Sequence, residues 1–97
     1  MYIVSLTYKV PLEAVDKELN NHIAFLKEQY AQGHFLASGR KIPRTGGIIF
    51  ARANDKDELS KILKQDPFNQ NNLADYEVIE FIPTMTSEDM KCLLEKR

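Results

Sequence analysis

Tyr2, Val4, Leu6 and Tyr8 alternate with Ile3, Ser5, Thr7 and Lys9, and a two-residue period places the two sets on opposite faces of a β-strand. The period then changes. From Leu12 to Gln32 the apolar residues Val15, Leu19, Ile23, Leu26 and Tyr30 recur at spacings of three or four, which predicts one long amphipathic helix. Pro11 suits its start and Gly33 its C′ position. Phe35 to Lys41 and Gly47 to Ala53 read as the two strands of a hairpin, reversed at Ile42-Pro43-Arg44-Thr45-Gly46. Asn54 or Asp55 is placed to cap a second helix. Asp55 and Glu58 have capping-box spacing, and Leu59, Ile62 and Leu63 form the buried stripe that follows. Pro67 pushes Asp66 out of helical geometry, closing that helix at or just before Asp66. Asn69 to Asn72 read as a polar loop and Tyr76 to Ile82 as a fourth strand. Thr86 or Ser87 is placed to cap a short terminal helix with Met90, Leu93 and Leu94 on its apolar face.

The order βαββαβ plus a terminal helix matches the ferredoxin-like split βαβ arrangement, an α+β fold with an antiparallel four-stranded sheet and two helices on one face. All 97 residues belong to a single domain on this reading, since a chain of this size has one core. Two helices cover one sheet face only. Ile48-Ile49-Phe50 and Val78-Ile79-Glu80-Phe81-Ile82 nevertheless place apolar groups on both faces. The expected cover for the second face is another copy of the chain, packed sheet to sheet in a homodimer.

Composition narrows the function classes. Thirteen Lys plus Arg against fourteen Asp plus Glu leave a net charge of −1, and the charges are scattered, so no footprint for nucleic acid or an anionic membrane appears. Central-strand aromatic and basic residues in the RNP pattern are missing too, so the RNA-binding use of this topology is disfavoured. No apolar run is long enough for a membrane span, and Met1 leads into a strand pattern instead of a signal peptide. The single Cys92 excludes an intrachain disulfide and a metal site with paired thiols. These features point to a cytoplasmic protein without a metal or other cofactor.

His22 is the one placement on the first helix that amphipathicity does not require. It lies three residues after Leu19, seven after Val15 and four before Leu26, so its imidazole points with the apolar stripe. A satisfied core histidine is one reading of it. Asp66 also continues an apolar stripe, after Leu59, Ile62 and Leu63, and an inward carboxylate needs a partner. An Asx turn before Pro67 would supply one locally. If the two helices lie side by side, His22 and Asp66 can instead meet between them and the sheet. Burial and a carboxylate then act on the imidazole in opposite directions, as suits a general acid or base, with Asp66 holding its tautomer. Ser5 and Thr7 on one face of the first strand, and Ser38, Gly39 and Arg40 at the end of the second, are candidate substrate-binding residues. Gly39 permits close approach of a ligand. Arg40 and Arg44 suit an anionic group, unless they are simply solvated hairpin residues. His34 reads as a surface residue and Cys92 as a core or interface residue.

The residues His22-Ile23-Ala24-Phe25-Leu26, Gly33 through Ser38-Gly39, and Asp66-Pro67-Phe68 resemble the landmarks of the YCII-related (YciI-like) proteins in order and spacing. The resemblance implies a ferredoxin-like fold, dimerisation through the sheets as in dimeric α+β barrels, and a His–Asp active site falling on His22 and Asp66. It also implies a mostly unassigned function. Some relatives are linked to dehydrochlorination of chlorinated hydroxyquinols, and similar folds host muconolactone isomerisation and cofactor-free monooxygenation. Two positions depart from the family pattern. Arg40 stands where many relatives have Pro, and Asn72 where Gly is common. Asn tolerates the left-handed conformation that Gly supplies, whereas Arg40 changes the pocket rim. The leading expectation is a cofactor-independent enzyme using His22 and Asp66 for elimination, isomerisation or hydrolysis of a small organic molecule. The competing one is a non-catalytic dimeric module that binds a small ligand or a partner.

Overall fold

The computed structural model describes residues 1–94. Strand β1 (Tyr2–Tyr8) is followed by α1 (Leu12–Lys17) and α2 (Leu19–Ala31), the hairpin β2 (Phe35–Arg40) and β3 (Gly46–Ala51), then α3 (Lys56–Leu63), α4 (Pro67–Gln70) and β4 (Ala74–Glu80). The strands form a four-stranded sheet in the order β2-β3-β1-β4 with every neighbour antiparallel. This is the ferredoxin-like arrangement. The core lies on one side of the sheet, where Tyr2, Val4, Leu6 and Ile49 meet Val15, Phe25, Leu59, Ile62, Leu63 and Phe68.

The expected long first helix is two helices. Glu18 (φ −104°, ψ 4°) separates them, its N–H bonded to the Val15 carbonyl at 3.0 Å. Val15 and Phe25 would sit about 80° apart on one straight helix, and the break lets both enter the core, at 0% and 8% exposure. The apolar stripe read from the sequence is rotated accordingly. Phe25 and Gln29 are the buried residues of α2, while Ile23 and Tyr30 are exposed.

Gly33 ends α2 with φ +81°. Its N–H donates to the Tyr30 carbonyl and the His34 N–H to that of Gln29, both at 3.0 Å, which is the Schellman pattern. At the start of α3, the Asp55 carboxylate accepts from the Glu58 N–H at 2.8 Å, and the Glu58 carboxylate accepts from the Asn54 N–H at 2.7 Å. Both orphan donors are therefore satisfied by the expected pair, with the return bond shifted by one residue.

Strand lengths follow β1. Its seven residues pair with Glu80 through Ala74 on one side, so β4 starts before the expected Tyr76 and Phe81 and Ile82 fall beyond its end. On the other side, β3 begins at Gly46, and a Cβ there would lie 1.7 Å from the Leu6 carbonyl oxygen. Only glycine fits where these backbones pass. The expected polar loop from Asn69 is partly helical, and Asn72 ends it at φ 58°, the left-handed conformation anticipated for it. The C-terminal element is a 3₁₀ turn, Glu88–Leu94, interrupted at Met90 and burying no side chain. Cys92 is exposed, so of the core and interface readings the core one is excluded. Among the described residues no helix is long and apolar enough to cross a membrane.

Candidate active site

Asp66 is reached from two directions. Pro67 ends the run of α3 and starts α4, which makes Asp66 the N-cap of that short helix, its Oδ1 accepting from the Phe68 N–H at 3.0 Å. The local Asx turn is therefore present. The same Oδ1 lies 2.7 Å from His22 Nδ1, across 44 residues of sequence. The local and the long-range readings of Asp66 are both satisfied by one oxygen. Its other oxygen, Oδ2, accepts from the Tyr76 hydroxyl at 2.5 Å.

Tyr76 was not among the residues singled out from sequence. Alternation along β4 places it on the helix side with Val78, but nothing in a two-residue period distinguishes a packing tyrosine from one aimed at a carboxylate. Burial, and then the neighbouring Asp66 charge, push the Tyr76 hydroxyl well above its ordinary value of 10.0. Tyr76 accordingly keeps its proton and donates it. Asp66 is fully buried and is surrounded by donors: a backbone N–H, a phenol and the imidazole. Nδ1–H is the tautomer that suits this arrangement, leaving Nε2 as the basic nitrogen of the ring. The imidazole is fixed in plane as well, stacked on Phe68 with centroids 3.9 Å apart and planes 1° from parallel.

His22 and Phe68 line a cavity of about 620 Å³, within the usual range for small-molecule sites. Leu19, Ile23 and Leu26 form one wall. They account for part of the rotated helix stripe: Ile23 is exposed toward this hollow, while Leu19 and Leu26 border it and also pack against the core. Ser38, Gly39 and Arg40 line the opposite side. A one-residue bulge between Phe35 and Ala37 shifts the β2 register, so that Ser38 pairs with the inward Ile49 and Arg40 with Gly47. Without the bulge, alternation from the buried Phe35 would turn Ser38 and Arg40 to the other face. Ser38 Oγ is within 2.6 Å of the Tyr30 hydroxyl. A Cβ on Gly39 would meet nothing within 4 Å, so no other backbone approaches that position closely, and the tight backbone passage is at Gly46 instead.

Ser5 and Thr7 do not join this group. Strand alternation puts them on the opposite sheet face, with Thr7 Oγ1 accepting from Lys41 Nζ at 3.1 Å, and neither lines the cavity. Arg44 does line it, but its guanidinium is held 2.6 Å from Asp16 on α1. That hydrogen bond raises the already high pKa of Arg44 further. Among the described residues no group of three or more His, Cys, Asp or Glu could hold a metal ion.

A family model described as the YCII-related domain matches residues 1–82. No curated protein matches the chain. Among solved structures, the chain is similar to 5-chloro-2-hydroxyhydroquinone dehydrochlorinase (TftG) from Burkholderia phenoliruptrix AC1100 in complex with 2,5-dihydroxybenzoquinone. The TM-score is 0.70 and the identity 19%, over 84% of this chain and 93% of that one. At that identity the likeness concerns the fold.

Proposed function

The chain belongs to the YCII-related domain family, and from that premise we propose that it is a cofactor-independent acid–base catalyst acting on a small organic molecule. The observation that carries this reading is the 2.7 Å contact between His22 Nδ1 and the buried Asp66, at the wall of a cavity large enough for such a substrate. Asp66 holds the imidazole through Nδ1–H and stabilises the imidazolium that forms when Nε2 takes a proton. Tyr76 and the Phe68 N–H hold Asp66. In an elimination, Nε2 removes a proton from the carbon beside the one bearing the leaving group; the C–H electron pair becomes the new double bond, and the leaving group departs with its own pair. Isomerisation returns the proton to a different carbon, and hydrolysis directs the same base at water. The solved neighbour, a dehydrochlorinase, performs an elimination, which makes elimination the first reaction type to assay.

The outer sheet face carries Ile3, Ile48, Phe50 and Ile79, the last of them 49% exposed. A second copy packed on this face, as in dimeric α+β barrels, is part of the proposal. The decisive experiment assays the wild-type chain on a chlorinated hydroxyquinol, an unsaturated lactone and an aryl ester, one probe for each reaction type and each with and without a carboxylate substituent, beside His22→Ala. Turnover of at least one probe that disappears in the folded variant supports the reading. Turnover of none, or turnover that survives loss of the imidazole, overturns it.

A further inference from the structure

The charges around the cavity do not balance. Its lining contains Asp16, Arg40 and Arg44 besides His22. Asp16 and Arg44 neutralise each other at 2.6 Å, and the charge of Asp66 lies behind His22, fully buried and enclosed by its three donors. Arg40 remains. Among the described residues its side chain has no hydrogen-bond or ion-pair partner, and it is exposed at the end of β2. An unpartnered guanidinium at the edge of a hollow whose Asp16 and Arg44 charges are already paired is a preformed site for a planar anion, which its fork can bind through two parallel N–H bonds. The β2 bulge is what brings Arg40 to this side of the sheet.

Resting on the acid–base reading of the same cavity, we infer that Arg40 is a specificity-determining residue and that the substrates are small organic acids. The carboxylate pairs with Arg40 at the rim, while the carbon skeleton lies against Leu19, Ile23 and Leu26 within reach of His22. Arg44 does not duplicate this function, because moving it to a ligand would strip Asp16 of its partner and leave that carboxylate facing the incoming anion. Association is sensitive to ionic strength, since Arg40 is exposed and its field is screened within about 10 Å at 0.1 M salt.

Benzoate and benzamide, matched in size and differing in charge, test the inference by NMR titration of the folded protein, with the His22 ring resonances reporting occupancy. The expected result is millimolar binding of benzoate, as suits so small a probe, with benzamide about 10-fold weaker or more. Arg40→Ala should bring benzoate down to the level of benzamide, and Arg40→Lys should restore part of the difference. Equal binding of the two probes, no binding of either, or a charge preference that survives Arg40→Ala would overturn the inference. His22→Ala, followed through the methyl resonances of Leu19 and Ile23, separates it from the catalytic reading. Benzoate preference kept in that variant while a turned-over probe is still converted defeats the catalytic role alone, whereas preference lost only with Arg40→Ala supports the anion site regardless of turnover.

Discussion

The molecule holds two histidines whose Nδ1 atoms are anchored at the same distance, 2.7 Å, and the anchors differ in kind. His22 is held by the Asp66 carboxylate from 44 residues away, His34 by the Gln29 carboxamide from five residues away. The second pair belongs to the end of α2: the His34 N–H closes the Schellman bond to the Gln29 carbonyl, and the side chains repeat that connection. Its surroundings are committed too. The groove beside His34 contains Arg52, whose guanidinium donates to the Cys92 carbonyl at 3.2 Å, and Glu58, which accepts from Asn54. An oriented imidazole alone is therefore not evidence of catalysis. A carboxamide fixes a ring without stabilising its charged form, whereas a carboxylate does both, and only His22 pairs that with an apolar hollow.

The largest expected effect breaks the comparison at the imidazoles themselves. His22→Ala should lower kcat by about 10²–10⁴, the usual contribution of a positioned acid or base, while His34→Ala leaves turnover unchanged and affects only stability. Parallel kinetics on the two variants, with circular dichroism to confirm folding, measure it. Equal losses would show that neither ring is special.

Removing the carboxylate comes next. Asp66→Ala strips partners from His22, from the Phe68 N–H and from the Tyr76 hydroxyl, and removes the cap of α4. A loss of about 3 kcal/mol or more in urea unfolding is expected, since one buried and two half-buried donors lose their shared acceptor together.

Tyr76→Phe should cost about 1–2 kcal/mol near neutral pH, the net worth of a hydrogen bond to a carboxylate. Its pH dependence is more diagnostic. The folded-state pKa of Tyr76 lies above the ordinary value of 10.0, so its contribution to stability is full below pH 10 and declines as the unfolded chain begins to release that proton. Wild-type stability should therefore fall with rising pH above 10, and more shallowly in Tyr76→Phe. Tyr2, raised by burial and then by Glu80, keeps the residual slope above zero in the variant. Identical slopes in the two proteins would mean that Tyr76 is not buried against a charge.

What could be read from the sequence divides along the same line as the two histidines. The Asp55 and Glu58 cap, the Gly33 helix end and the face of Tyr2, Val4 and Leu6 were legible because each is decided within a few residues, whereas the left-handed Asn72 was anticipated only through the resemblance to a family in which Gly is common there. Stripe logic also pointed His22 and Asp66 toward one place, although Asp66 lies beyond α3, as the extended N-cap of α4. Three features were not legible. The Glu18 break, the β2 bulge and the donor role of Tyr76 depend on what the opposite element presents, and periodicity carries no record of that. Ser5 and Thr7 lie away from the cavity for a related reason: a polar pair on a strand face is visible, but which face the cavity occupies is not.

The smallest expected effect sharpens the comparison from the other side. Gln29 is almost completely buried, at 2% exposure, and by that measure its removal should be as serious as that of Asp66. It should not be. Gln29→Leu keeps the volume and apolar stem within α2, and the side-chain partner it abandons among the described residues, His34 Nδ1, sits on a half-buried ring that can turn to water. The Schellman backbone bonds to Tyr30 and Gln29 do not involve the carboxamide and persist. Replacing a buried polar group by an apolar one of similar shape is nearly neutral when its partner reaches solvent, so the stability change should stay within about 1 kcal/mol, with turnover untouched. Denaturant titration of Gln29→Leu against Asp66→Leu measures the contrast directly. Comparable losses would mean that burial alone, and not the charge and number of donors gathered at Asp66, sets the importance of a histidine's anchor.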